Sequence, residues 1–323
     1  MRHGAGAYPA RSPFAPRSRQ RVPLHHACVR DLAWCLSSPA IYRLGHPNNN
    51  LLGDSKHLWQ WLRRLDQQPQ PLLDAIAQQR SHRLGIYFET LLEFTLAHHV
   101  KPARHFYALA VRQQGRTLGE YDFLFRRRGE AALHHLEVSI KFYLGLPRAQ
   151  SSTHWVGLNR NDRLVDKVDK MQQRQLRLSH LPAARQQLQA LGEQVGPCHG
   201  LILGRLFYPL EKPTTSPPQG ALPGHLRGWW LRHSDQRKIT TQAQYSGVLA
   251  SPTLLVSLQR QQWLAPLAPA EAQQLASEAL AAHADSAPGM VARLILTPLG
   301  WREHDRGVLA ADAWLDSVLK TLE

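Results

Sequence analysis

The sequence predicts an α/β protein built on a mixed sheet flanked by helices. Three stretches with strand-like apolar residues, 105–111, 118–125 and 133–144, follow one another with short Gly- and Arg-containing turns between them, which is typical of a meander. A helical pattern at 162–179 leads to a nearly continuous apolar stretch at 199–209, as expected for a strand that is buried on both faces and reached through a crossover. This order of elements predicts a sheet of mixed strand direction.

The chain divides into five predicted segments. The first 23 residues contain five arginines and no acidic residue, which predicts a disordered basic arm or a wrongly assigned translation start. The C-terminal third carries a predicted strand at 291–298 and predicted helices at 269–283 and 308–322, and it either packs on the core or stands alone. The predicted segments are a basic tail (1–23), a helical N-terminal segment (24–83), a core (84–210), a Pro-rich connector (211–225) and a C-terminal α+β segment (226–323).

The chain is strongly basic, with a formal net charge of +15 and an isoelectric point near 10.3. The five tail arginines supply only part of this excess, so the remaining segments are basic as well. Such a balance favours a polyanionic partner such as nucleic acid, although a generally Arg- and Gln-rich composition gives the same charge without one.

The cysteine and histidine patterns argue against several kinds of site. Cys28, Cys35 and Cys198 form no CxxC pair, which disfavours a disulfide framework and a structural zinc site and favours a reducing, cytoplasmic setting. The 18 histidines are scattered and no HExxH motif occurs, so a histidine-ligated metal is also disfavoured. No apolar run approaches the roughly 20 residues that a membrane-spanning helix needs, and the N-terminus lacks the apolar segment of a secretory signal.

Acidic residues occur inside the strand patterns, where they are unusual. Because strand side chains alternate, His135, Glu137, Ser139 and Lys141 share one face of the third strand, and its other face is apolar. Asp122 lies inside the second strand pattern, where aspartate is disfavoured. Carboxylates on adjacent strands are the hard oxygen ligands that Mg²⁺ prefers. We therefore expect a metal-dependent phosphodiesterase site, although a turn-capping aspartate and a solvent-facing glutamate are the simpler alternatives.

The order of these residues resembles the PD-(D/E)XK nuclease superfamily, which has a restriction-endonuclease-like fold. GIYFE supplies Glu89 in the helix at 84–96, GEYD supplies Asp122, and LEVSIKF supplies Glu137 with Lys141. The resemblance implies an uncharacterised bacterial family of that superfamily, with a restriction-endonuclease-like core at 84–210. It also implies hydrolysis of nucleic acid, DNA more than RNA, with Asp122 and Glu137 binding Mg²⁺ or Mn²⁺. Glu89 and Lys141 would complete the catalytic set.

The sequence departs from that pattern at the lysine. The expected position, two residues after Glu137, holds Ser139, and Lys141 lies four residues on. Either the long side chain of Lys141 reaches back to the site, or Lys167 or Lys170 on the following helix substitutes for it. Gln175 interrupts an apolar stripe of that helix and is a candidate supporting residue. Without any such lysine the protein would be a catalytically degenerate nucleic-acid-binding protein that retains the fold.

The predicted helix at 162–179 also carries a basic stripe. Its residues recur at spacings of four and three and predict contact with a phosphate backbone, unless they only pair with the neighbouring aspartates. The stripe comprises Arg163, Lys167, Lys170, Arg174 and Arg177. A third, broader hypothesis is a protein-interaction scaffold, which predicts a large exposed apolar patch instead of a basic groove.

Overall fold

The computed structural model describes residues 23–46, 52, 55–146, 154–159, 161–212, 215–237, 239, 252–282 and 288–321. The predicted basic tail falls almost entirely outside these residues. The helices are α1 (Ala27–Ser37), α2 (Ser55–Gln67), α3 (Gln70–Ala77), α4 (Leu84–Thr95), α5 (Leu164–Gln173), α6 (Pro182–Ala190), α7 (Pro269–Ala282) and α8 (Asp312–Lys320). The strands are β1 (Tyr42–Gly45), β2 (Arg104–Gln113), β3 (Arg116–Arg126), β4 (Leu133–Gly145), β5 (Trp155–Gly157), β6 (Val195–Pro209), β7 (Arg227–Arg232), β8 (Thr253–Ser257), β9 (Gly289–Thr297) and β10 (Gly300–Ala310).

The predicted α/β architecture with a mixed sheet is confirmed. The strands form one sheet in the order β2-β3-β4-β6-β7-β10-β9-β8, with β1 added beside β6 and β5 beside β4. Strands β2, β3 and β4 are the antiparallel meander, and β6 returns parallel to β4 after the crossover. The central position of β6 explains its apolar sequence, because both of its faces are covered.

The C-terminal third extends the same sheet. Strand β7 pairs parallel with β6, and β10, β9 and β8 follow it outward. Trp229 is fully buried there and its indole donates to Asp305 at 2.7 Å, while the Trp230 indole donates to the carbonyl of Gly145 at 2.9 Å. Of the two arrangements predicted for this third, the structure has the one that packs on the core.

Two helix predictions are wrong in part. The predicted helix at 162–179 starts at Leu164 and leaves α-helical geometry at Arg174, where φ is −121° and ψ is −60°, and a 3-10 helix follows at Gln175–His180. The predicted terminal helix at 308–322 begins too early, because residues 308–310 are the end of β10 and the helix is Asp312–Lys320. No element was predicted over 299–307, where β10 carries Asp305 and Arg306, both fully buried.

Among the described residues, no helix combines the length and apolar character that crossing a bilayer requires.

Candidate active site

The candidate site lies where two neighbouring strands separate. Backbone pairing of β3 with β4 runs from Phe125 opposite His134 to Phe123 opposite Leu136. Beyond that point, side-chain carboxylates replace backbone carbonyls as the acceptors between the two strands. The Asp122 carboxylate accepts a hydrogen bond from the amide of Val138 at 2.9 Å, and the Glu137 carboxylate accepts one from the amide of Asp122 at 3.3 Å. We call this place the fork. It directs the carboxyl groups of Asp122 and Glu137 toward each other.

The strand on the other side of Asp122 is distorted at the same level. Ala108 of β2, at the register position opposite Asp122, has a φ of +52°, which residues other than glycine seldom adopt. Its neighbour Tyr107 donates a hydrogen bond to Glu89 of α4 at 3.2 Å. Backbone strain of this kind concentrates at functional sites, and here it lies beside the fork.

The two carboxyl groups form one electrostatic unit. Glu137 is fully buried, Asp122 is mostly buried, and the groups lie within hydrogen-bonding reach of each other. Burial first, and the neighbouring Glu137 second, raise the pKa of Asp122 to about 7, while burial raises the pKa of Glu137 to about 7. The pKa of Glu89 is raised by burial and then by Asp122. At neutral pH the pair therefore tends to keep a proton that a bound cation would displace.

An amide links the pair to a lysine. Gln175 Nε2 donates to Glu137 Oε2 at 2.5 Å, and Gln175 Oε1 accepts from Lys167 Nζ at 3.2 Å. Burial and the neighbouring Lys141 lower the pKa of Lys167. Because α5 ends at Gln173 and the 3-10 helix follows, Gln175 turns back toward the fork. The polar interruption noticed in the apolar stripe is therefore a direct contact of Glu137.

The structure pairs Lys141 with an aspartate other than Asp122. Its amine donates to Asp162 Oδ2 at 2.6 Å, and Tyr143 donates to the other oxygen of Asp162 at 3.0 Å. Lys141 thus ties β4 to the segment before α5. Ser139 is half-buried on β4 opposite Ile202 of β6.

The predicted basic stripe is not one helical stripe. Lys170 is exposed on α5, but Arg174 and Arg177 lie beyond the end of that helix, where the regular spacing no longer holds. Arg163 is half-buried at the helix start. Lys167 differs from the others because it is turned to the fork. Contact of these residues with nucleic acid stays a prediction.

One residue of the site received no role in the sequence analysis. His135 is fully buried, and its Nε2 lies 2.6 Å from Glu137 Oε1. Burial lowers the pKa of His135 to about 4. The sequence feature that could have identified His135 is its position two residues before Glu137, since residues i and i+2 of a strand point to the same side.

The carboxyl groups of the fork could supply only part of the coordination of a hard cation. Among the described residues, no group of three or more His, Cys, Asp and Glu side chains is arranged to hold a metal ion. A metal at the fork would therefore take Asp122 and Glu137 and complete its coordination with backbone oxygen, water or substrate. That is the usual manner of Mg²⁺, which binds one or two carboxylates and keeps several waters.

Comparison with known proteins identifies a family without assigning an activity. Neither the curated proteins nor the solved structures gave a significant match. A family model described as "Domain of unknown function (DUF1853)" matches residues 30–310, which include the fork and all ten strands. The chain therefore belongs to this domain-of-unknown-function family.

Proposed function

We propose that the protein is a metal-dependent nuclease of the PD-(D/E)XK type, which hydrolyses phosphodiester bonds in nucleic acid, DNA more than RNA. The observation that carries the proposal is the meeting of Asp122 and Glu137 at the fork, with both pKa values raised to about 7. Uncompensated carboxyl groups in a buried site are costly, so their presence points to chemistry rather than to stability. The exposed basic residues Lys170, Arg174 and Arg177 support a polyanionic substrate.

Each residue of the site has a role in this proposal. Asp122 and Glu137 would hold Mg²⁺ or Mn²⁺, which when bound acidifies a water and offsets negative charge on the phosphate. Lys167 supplies the positive charge that Lys141 was expected to supply, and Gln175 holds its amine beside Glu137. Asp122 lies near enough to Glu89 to raise the pKa of Glu89. Glu89 would help to orient the attacking water.

One observation favours a second candidate function. The lysine nearest to the expected sequence position, Lys141, is engaged by Asp162. If Lys167 does not replace it, the protein is a nucleic-acid-binding protein that retains the fold and has lost the chemistry. Its binding would then be salt-dependent and would not require a metal ion.

The test incubates the full chain with plasmid, single-stranded DNA and RNA in Mg²⁺, Mn²⁺ or EDTA. We expect metal-dependent cleavage that both Asp122→Ala and Glu137→Ala abolish, and that Glu278→Ala leaves unchanged, because Glu278 is an exposed carboxylate of α7. Cleavage that survives both fork substitutions would refute the proposal. Salt-sensitive binding without cleavage would support the second candidate.

A further inference from the structure

A fully buried histidine beside the carboxyl pair is the starting point of this inference. Residues His135 and Glu137 lie on the same side of β4, and both are inaccessible to solvent. The distance of 2.6 Å between His135 Nε2 and Glu137 Oε1 is that of a strong hydrogen bond. The ring of Tyr121 meets the imidazole edge-on at a centroid distance of 4.8 Å.

Donor and acceptor counting gives the tautomer of this histidine beside an ionised Glu137. When Glu137 is ionised its carboxylate only accepts hydrogen bonds, so the imidazole then carries its proton on Nε2 to make the contact. The other ring nitrogen, Nδ1, is buried and has no hydrogen-bond partner among the described residues, and the same holds for Tyr121 Oη. An unpaired buried polar atom costs about 1–3 kcal/mol, which an apolar side chain at position 135 would avoid.

The hydrogen bonds that the Glu137 carboxylate accepts come from uncharged groups. Oε1 receives His135 Nε2 and the amide of Asp122, and Oε2 receives the Gln175 amide. An arginine in the same place would orient the carboxylate and also neutralise it, and so would compete with a metal cation. A neutral donor orients the carboxylate and leaves its charge available.

We infer that His135 is a positioning residue, which holds the Glu137 carboxylate in the orientation for binding a divalent cation by donating Nε2–H to Oε1. This inference rests on the proposed function as far as the cation is concerned. The hydrogen bond and the tautomer belong to the metal-free protein and can be measured without it.

The experiment compares two substitutions of His135 with one of its neighbour. His135→Phe keeps a ring against Tyr121 and removes the donor, whereas His135→Gln keeps an N–H donor near the place of Nε2. His134→Phe is the matched control, because His134 is also a buried histidine of β4 but contacts Glu130 and His199 instead. Mn²⁺ affinity is measured by calorimetry at pH 8, and long-range ¹H–¹⁵N spectra of the metal-free protein report the tautomer.

We expect His135→Phe to weaken Mn²⁺ binding by about 10- to 100-fold, His135→Gln to recover most of that loss, and His134→Phe to leave the affinity unchanged. The spectra should show His135 protonated at Nε2 and should change in Glu137→Gln. Equal Mn²⁺ affinity in the wild type and His135→Phe, or no recovery in His135→Gln, would overturn the inference. A proton on Nδ1 would overturn it as well.

Failure of the proposed function has a different signature. If the wild type does not bind Mn²⁺, or if Asp122→Ala binds it as tightly as the wild type, the fork is not a metal site. His135 then has no role in cation binding. The orientation of Glu137 by His135 then stands if the Nε2 tautomer responds to Glu137→Gln, and is refuted if it does not.

Discussion

Two clusters of buried charge lie in the same sheet, and they are built in opposite ways. In the C-terminal third, Asp305 is fully buried and is paired with Arg293, while Glu303 is paired with Arg306 at 2.7 Å. At the fork, Asp122 and Glu137 face each other, and their closest contacts are amides and an imidazole.

The difference is whether the buried carboxylates have a positively charged partner. A buried carboxylate that is matched by a guanidinium holds its surroundings together, and removing one partner leaves an uncompensated charge. Two carboxyl groups without such a partner destabilise the fold when both ionise. The carboxyl groups of the C-terminal cluster are thus neutralised by guanidinium groups, whereas those of the fork have no such partner, and the proposed cation would supply the missing positive charge.

The largest expected effect is on the paired cluster. Asp305→Ala removes the partner of Arg293 and the acceptor of the Trp229 indole, and should lower the free energy of unfolding by about 3–5 kcal/mol. Urea unfolding followed by tryptophan fluorescence measures it. Asp305→Asn, which keeps an acceptor for the indole, should cost less. A loss below about 1 kcal/mol in Asp305→Ala would show that the two clusters do not differ in this way.

The next effect concerns the two lysines near the fork. Lys167→Met should lower the cleavage rate by about 100-fold, since removing one charged group that stabilises the transition state costs about 3 kcal/mol. Lys141→Met should change the rate by less than about 10-fold, because its amine is held by Asp162. Single-turnover cleavage assays at saturating Mn²⁺ measure both. The reverse ranking would assign the catalytic charge to Lys141.

The third effect is a dependence of stability on pH. The pKa values of Asp122 and Glu137 in the folded protein, about 7, lie above the ordinary values of about 4 for unfolded chains. Between these limits the folded state binds more protons than the unfolded state, so the free energy of unfolding falls as pH rises from about 4 through about 7. Glu137→Gln should flatten this slope and stabilise the metal-free protein by about 1–3 kcal/mol at pH 8. An unchanged slope in chemical unfolding at a series of pH values would contradict this.

The smallest effect tests the strain beside the fork. Ala108→Gly relieves an unfavourable φ and should raise the free energy of unfolding by about 0.5 kcal/mol, after the larger entropy of the unfolded chain is subtracted. Ala110→Gly, two residues along β2, is the matched control and should lower it by about 0.5–1 kcal/mol. Equal losses in both variants would mean that Ala108 carries no strain.

Much of the fold could be predicted from the sequence because its signals are local. The meander, the crossover to β6 and helix α4 follow from periodicity and turn residues. Strand β10 could not be predicted, because Asp305 and Arg306 are charged residues that the fold buries. Asp305 is bonded to Arg293 of β9 and Arg306 to the carbonyl of Ala265, and the sequence does not show that these groups meet.

The site was predictable to a similar extent. Asp122 and Glu137 stood out as carboxylates inside strands, and Gln175 as a polar interruption of an apolar stripe. The partner of Lys141 could not be predicted, because the position of Asp162 depends on the path of the chain before α5. His135 was visible on the face of Glu137, but only the distance between them gives it a role.

At the fork, the acidic side chains also serve as acceptors for the amides of Asp122 and Val138, in place of the carbonyls of an adjacent strand. An ion bound there, as proposed, would draw on the same oxygens that accept these hydrogen bonds between β3 and β4. Binding at the site would then change the hydrogen bonds of these two backbone amides, and their rates of deuterium exchange would report it without a substrate or a turnover assay.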